Sequence, residues 1–287
     1  MTDKQYVVIT GASTGIGEAC AHYLAEKGMH VFAGVREQPD ADRLAREVRA
    51  NLTPLFIVVT ENESIEKAAE TVGQALGDRG LAGLVNNAGV VMGGALEFLP
   101  IERLRRQLEV NLIGQVAVTQ AFLPYLRRGK GRVVNMGSIS GRIATPVRGP
   151  YSMSKSGLKA FSECLRRELY PWGMHVSLVE PGAIATPIWT KGFRRAEEII
   201  RNMSEKERRL YGDSIAAARA NAVKMSQEAI AAQEVAKVVH HALTSSKPRT
   251  RYLVGKDAKI GAALAWLLPD RAMDWFMRKV VERSRGS

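Results

Sequence analysis

Cysteine is scarce: 287 residues carry two, Cys20 and Cys164. Two thiols in separate helical patterns build neither a disulfide framework nor a metal-ligand spacing. Both are expected as small apolar core residues in a reducing, cytoplasmic setting. Metal-ligating clusters are missing elsewhere too. His240 and His241 are adjacent, so on a helix they point about 100° apart, and no metal centre is expected. The longest apolar run lies near residues 261–269, far too short to span a bilayer. No cationic start followed by an apolar core opens the chain, so no secretory leader is expected. Internal repeats and low-complexity linkers are also absent. One domain over residues 1–287 is the economical reading.

Acidic residues are the minority charge, 29 against 41 Lys and Arg, for a net charge of +12. The imbalance is local. Residues 1–190 hold 21 basic and 18 acidic residues, whereas residues 191–287 hold 20 and 11. The basic residues of that last third are interleaved with acids. A solvated face is therefore expected rather than a nucleic-acid site. In the tail, residues 260–287, Asp270 and Asp274 dilute the basic face, so membrane-surface contact is not expected either. A composition 46% hydrophobic and 24% charged is that of an ordinary globular domain. It excludes disorder, collagen and coiled coil for the whole chain, and the length supports a full core without staples.

Apolar runs alternate with helical spacings. Strands are expected at Tyr6–Thr10, His30–Val35, Leu55–Val59, Leu81–Asn86, Arg132–Met136, Val176–Val179 and Arg251–Val254. Helices are expected at Ile16–Lys27, Ala41–Ala50, Ser64–Leu76, Ile101–Leu126, Ser152–Pro171 and Gln233–Leu243. This order predicts an α/β fold, a doubly wound parallel sheet with helices on both faces and ligands beyond the strands' carboxyl ends. Residues 187–232 read as a charged helical insertion over that edge, and residues 260–287 as a helical tail.

Between the first strand and first helix runs Thr10-Gly11-Ala12-Ser13-Thr14-Gly15-Ile16-Gly17. Glycines there let the backbone turn tightly against a diphosphate, and the helix N-terminus supplies free N–H groups. Further on stand Asn86-Asn87-Ala88-Gly89, Asn111, Ser138, Tyr151-x-x-x-Lys155 and Pro181-Gly182 with Thr186. Together, over Gln5–Thr190, these motifs resemble the short-chain dehydrogenase/reductase family. The resemblance implies a Rossmann-like fold, a nicotinamide cofactor and hydride transfer between that cofactor and a carbonyl or secondary alcohol.

Tyr151 and Lys155 are four apart on an expected helix and share one face. A phenol with a pKa near 10 is a weak acid or base at neutral pH, and a nearby ammonium stabilises its phenolate. Tyr151 is then the expected proton donor or acceptor. Ser138, just past a strand end, is placed to bond the reacting oxygen. By resemblance, Asn111 supports the proton relay through a water. Gly11, Ser13, Thr14, Gly15, Ile16 and Gly17 are expected around the diphosphate. By the same resemblance, Asn87, Ala88 and Gly89 lie near the adenosine half, and Pro181, Gly182, Ile184 and Thr186 clamp the nicotinamide. Tyr151 and Lys155 belong to the cofactor set as well.

An acid after the second strand suits a ribose 2′-hydroxyl, and an Arg suits a 2′-phosphate. Val35 stands where NAD-preferring relatives carry Asp, and Arg36 follows. NADP(H) is expected, with NAD(H) the alternative if Glu37 reaches the ribose. After the third strand, Val58 replaces the Asp that commonly bonds adenine. Trp189, Phe193, Ile199, Ile200, Met203 and Leu210 are expected to line a cleft for a bulky apolar substrate, in the manner of steroids, retinoids or lipids. The family's interface helices match Leu112–Leu126 and Ser152–Leu169, which implies a homodimer or homotetramer. The rival reading is a catalytically silent dinucleotide-binding redox sensor, and a complete Ser138, Tyr151 and Lys155 set argues against it.

Overall fold

The computed structural model describes residues 4–46 and 51–283. Seven strands form one parallel sheet. They are β1 (Tyr6–Ile9), β2 (His30–Val35), β3 (Leu52–Phe56), β4 (Gly83–Asn86), β5 (Arg132–Met136), β6 (His175–Pro181) and β9 (Arg251–Val254). Their spatial order is β3-β2-β1-β4-β5-β6-β9, so the chain reverses its winding between β1 and β4. Ligands bind at such a point, outside the strands' carboxyl ends.

Alternation along the strands divides the core. Val7 and Ile9 of β1 face one cluster with α1 (Gly15–Glu26) and α9 (Ala232–Thr244), through Leu24, Val235 and Val239. Tyr6 and Val8 face the other, built with α3 (Asn62–Leu76), α5 (Gly114–Arg128) and α6 (Gly149–Glu168), through Val72, Phe122 and Leu165. Neighbouring strand residues point to opposite faces, and helices cover both, as a parallel sheet requires.

Several boundaries differ from those expected. β3 begins at Leu52, not Leu55, and its residues pair with Val31–Val35. β3 includes Pro54, and as an edge strand it tolerates the missing N–H. The helix expected from Ala41 is α2 (Gln38–Arg46) and starts earlier; residues 47–50 of that expectation lie outside the described residues. The long helix expected at Ile101–Leu126 is broken into α4 (Ile101–Leu108), one wide π turn (Glu109–Ile113) and α5.

The insertion contains α7 (Ile188–Asn202) and α8 (Glu205–Gln227). Its two ends are tied by a feature the helical pattern does not reveal. Strand β7 (Ile184–Ala185) pairs in parallel with β8 (Ile230–Ala231). The insertion is thereby held as a flap over the carboxyl edge. The tail folds as α10 (Lys256–Leu267) and α11 (Asp270–Arg283), and α11 packs against α8. No helix among the described residues is long and apolar enough to cross a membrane. Cys20 is buried as expected, and burial pushes its thiol pKa up to about 12. Cys164 is exposed rather than in the core, because it lies on the solvent face of α6 between Ser162 and Leu165, which point inward.

Candidate active site

The glycine turn is held by its neighbours before any ligand is considered. Gly11 has φ +63°, and a Cβ there would lie 2.8 Å from the Ala88 Cα. A Cβ on Gly17 would lie 2.2 Å from the Gly11 carbonyl oxygen. Only glycine allows both the left-handed turn and the close approach. Asn87 fastens the turn from β4: its Nδ2 donates to the carbonyls of Thr10 and Gly11, both at 3.0 Å. The Thr10 hydroxyl in turn accepts from the N–H groups of Asn87 and Ala88. Arg43 reaches across from α2 to bond the Ser13 carbonyl and the Glu18 carboxylate.

Two connected cavities open at the carboxyl edge. One, of about 190 Å³, lies over the glycine turn and is lined by Gly11, Ser13, Thr14, Gly15, Asn87 and Ala88, among others. Arg36, Arg106 and Lys191 also reach it, whereas among the described residues neither Glu37 nor any other carboxylate does. Val58, Val59 and Thr60 form a further part of its wall; the Val58 side chain offers no polar group, and its N–H donates to Ser64 Oγ at 2.9 Å. The second cavity, of about 280 Å³, lies under α7 and α8. Ile16, Gly89, Val90, Thr186 and Ile188 line both. These walls fit an extended dinucleotide: a glycine cradle that a Cβ would fill, a basic far end and a continuous channel toward Tyr151.

Asn111, Ser138, Tyr151, Lys155, Pro181, Gly182 and Ile184 all line the second cavity. Every residue expected in the catalytic and cofactor sets therefore meets one cavity or both except Gly17, which packs behind the turn. Lys155 is 6% exposed, and burial lowers its pKa while Tyr151 opposes the shift. Its Nζ donates to the Met136 carbonyl at 2.6 Å and stands 5.7 Å from the centroid of the Tyr151 ring. Ser138 Oγ accepts from the Ser140 N–H at 3.1 Å. The hydroxyl proton of Ser138 thus remains available to a ligand oxygen.

Asn111 sits within the π turn, a distortion frequent at functional sites. Its Oδ1 accepts from the Val90 N–H at 2.8 Å, and its Nδ2 donates to the Val90 carbonyl and to Ser154 Oγ. Ser154 Oγ donates to the Tyr151 carbonyl, so Asn111 reaches the helix that carries Tyr151. It does not act alone. Gln107 bonds the Met92 N–H and the Val90 carbonyl, and Gln115 bonds the Ala88 carbonyl. Three amides four residues apart hold three alternate residues, Ala88, Val90 and Met92, of the segment after β4. The sequence reading missed Gln107 and Gln115. Two glutamines flanking Asn111 on one helix face were the available signal.

A buried ion pair was also missed. Arg142, just after the Ser138 segment, binds Glu180, just before Pro181, through two hydrogen bonds of 2.8 and 2.6 Å. The hydrogen bond to Glu180 raises the Arg142 pKa, against the effect of its partial burial. The pair ties two walls of the cleft together. On the other side of Pro181, Asp257 accepts from the Ala183 N–H at 2.7 Å.

Trp189, Phe193 and Ile199 line the cavity, but Ile200, Met203 and Leu210 do not. Ile200 is off the inward stripe of α7, Met203 packs at the turn between the helices, and Leu210 is 52% exposed. Their places are taken by Ile215, Ala218, Ala222 and Met225, the inward stripe of α8.

A glycine-cradled channel leading to a tyrosine and a buried lysine, at the reversal point of a parallel sheet, is the arrangement of an oxidoreductase site. Sequence comparison places the chain more closely: residues 5–197 match the short chain dehydrogenase family, and the chain belongs to it. It is 38% identical over 278 residues to 3-amino-tetrahydro-pyrrolizinone reductase of Xenorhabdus hominickii, covering 96% of both chains. It is 38% identical to 17-beta-hydroxysteroid dehydrogenase type 6 of Bos taurus, covering 97% of this chain and 89% of that one. Identity to the mitochondrial D-beta-hydroxybutyrate dehydrogenase of Rattus norvegicus is 39%, over 86% and 75%. A short chain dehydrogenase of Burkholderia cenocepacia solved with NADP superposes with a TM-score of 0.72 at 25% identity, over 96% and 97%.

Proposed function

We propose that the protein interconverts a carbonyl and a secondary alcohol on a bulky apolar substrate, with NADP(H) as the preferred cofactor. The observation that carries this reading is the meeting of Ser138, Tyr151 and Lys155 on one apolar cavity that opens into the glycine-turn channel. A bound nicotinamide supplies a hydride to a carbonyl carbon or takes one from an alcohol carbon. Tyr151 gives its phenolic proton to the forming alkoxide, or receives the alcohol proton in the reverse direction. The Lys155 ammonium stabilises the phenolate, and the Ser138 hydroxyl donates to the reacting oxygen. Asn111 supports the relay by fixing Val90 and, through Ser154, the start of α6. Pro181, Gly182, Ile184 and Thr186 form the wall for the nicotinamide amide. The segment 187–232 acts as the lid that excludes water.

Arg36 supports the NADP(H) preference, since it lines the basic adenosine-end cavity and Glu37 does not. The relatives named for steroid and hydroxybutyrate substrates support a secondary alcohol on an apolar body. In this reading the chain folds as one unit, works in the cytoplasm and pairs into a homodimer or homotetramer. Ile113 and Met153, 50% and 40% exposed, support the pairing with an apolar face on the family's interface helices.

The test is fluorescence titration with NADPH and NADH, followed by turnover on a panel of ketones and secondary alcohols. Tighter NADPH binding with turnover is expected. Binding without any turnover would leave the silent redox-sensor reading standing instead.

A further inference from the structure

The substrate cavity has an unbalanced charge. Its ionisable lining residues are Tyr151, Lys155, Arg148, Arg195 and Arg219, and no Asp or Glu among the described residues reaches it. Arg219 is neutralised at 2.9 Å by Glu197. The other two arginines are not. Arg195, half-buried on the inner face of α7, spends Nη1 on the neutral Val91 carbonyl at 3.1 Å. Arg148, half-buried at the start of α6, lies with its guanidinium carbon 5.4 Å from the Tyr151 ring centroid. Neither has a carboxylate partner among the described residues. A partly desolvated guanidinium without an anion is unfavourable, and its fork suits a carboxylate.

The backbone that presents Arg148 is itself strained. Val147 has φ +57°, a region that a β-branched residue enters only under constraint. The Gly94 N–H holds the Val147 carbonyl at 2.8 Å. The two arginines are therefore tethered to the same short segment, Arg195 at Val91 and the Arg148 turn at Gly94. Three residues of chain span at most about 10 Å, within reach of one small anion for two long side chains. Neither arginine lines the adenosine-end cavity, so they are not the groups that would meet a cofactor 2′-phosphate.

We infer that the substrate is an amphipathic oxyanion, with its carboxylate bound by Arg148 and Arg195 and its apolar body beneath α7 and α8. This rests on the oxidoreductase reading above and narrows its substrate class. Arg148 is close to Tyr151, so the carboxylate lies a few bonds from the reacting carbon. The class is a hydroxy or oxo acid with an apolar chain, rather than a neutral steroid-like alcohol. Oxidation moves a hydride from the carbinol carbon to NADP⁺ or NAD⁺ and the hydroxyl proton to Tyr151, leaving the oxo acid.

Two measurements test this. The first follows Trp189, the one cavity tryptophan among the described residues, by fluorescence as decanoate or methyl decanoate is added, with Trp189→Phe as the blank. Decanoate is expected to bind about tenfold more tightly than its ester, and Arg195→Gln or Arg148→Gln to remove that advantage. Arg195→Lys, which keeps the charge and loses the fork, should fall between them. The second compares oxidation of 3-hydroxydecanoate and 2-decanol. The ratio of their kcat/KM values should drop about tenfold in Arg195→Gln. Equal affinity for acid and ester, or a ratio unmoved in Arg195→Gln, overturns the anion site; turnover of 2-decanol would then leave the oxidoreductase reading intact. Arginine-dependent decanoate binding with no turnover of any alcohol or ketone supports the anion site and overturns the oxidoreductase reading.

Discussion

At the end of the cleft beside α1 the wall is built around the glycine turn. Gly11 and Gly17 bring two backbone segments together, and Asn87 spends its amide nitrogen on their carbonyls. At the other end, under α7 and α8, the wall is side chain: Trp189, Phe193, Arg195, Ile215, Arg219 and Met225, carried on a flap fastened by two two-residue strands. The first end presents N–H groups and small residues, which suit a ligand part that is always the same. The second presents shapes and charges that one substitution can change. A fixed cofactor and a variable substrate need these two kinds of wall, and the amide ladder of Gln107, Asn111 and Gln115 stands at their border.

If the two ends are separable, a change between them should break one function alone. Tyr151→Phe is expected to lower turnover by about 10²–10⁴-fold while NADPH affinity stays within about twofold, measured by steady-state kinetics and titration. Comparable losses in both would erase the distinction. Glu180→Ala should do the opposite and disturb both ends. It strands Arg142 in a part-buried site, and loss of one partner of a buried pair costs about 3–5 kcal/mol, seen as a lower urea midpoint. A variant as stable as the parent would show that the pair does not join the walls.

Arg36→Ala should act only at the adenosine end. NADPH affinity is expected to fall about tenfold, as for loss of one charge-assisted contact, with NADH affinity nearly unchanged. Equal losses would remove Arg36 from the 2′-phosphate.

The fold beneath both ends has its own pH dependence. His30 and His240, both part-buried, have pKa values lowered, in each case first by burial. Their folded values lie below the unfolded value near 6.5. The unfolded chain therefore takes up protons first as pH falls. Stability should be full above about pH 6.5 and should decline as pH drops through that value toward the folded pKa values. A Tm series between pH 7.5 and pH 5.5 that stayed flat would contradict this.

The smallest effect is expected on the flap. Tyr211 donates to Glu97 at 2.9 Å, and Lys206 stands 4.0 Å from the same carboxylate. Such exposed contacts are worth about 0–1 kcal/mol. Glu97→Gln should raise the substrate KM about two- to threefold and leave cofactor binding alone. A shift in NADPH affinity would show that the flap also governs the adenosine end.

How much was legible follows from this same contrast. Thr10–Gly17 and Tyr151-x-x-x-Lys155 are local patterns whose function depends on residues within one turn or loop. Seven strands could be placed because each shows its own apolar run. β3 lies three residues earlier than its expected span, and it carries Pro54, which is tolerated because the strand lies at the sheet edge. The π turn was invisible because the helical spacing continues through it. Cys164 was misread because one helix face cannot be assigned without knowing what covers it.

The sequence by itself determined the alternating α/β order, the glycine turn, the tyrosine–lysine pair and the basic residue after β2. All are short-range features, set by helix and strand periodicity and by the backbone freedom of glycine. Only the tertiary structure decided that Arg142 meets Glu180 and that Arg195 meets Val91, 104 residues away. It alone decided that β7 and β8 close the flap and that Arg148 and Arg195 face one cavity that no carboxylate among the described residues reaches. Those outcomes depend on which side chains remain to satisfy a buried polar group once the sheet has assembled, and no local pattern records that choice.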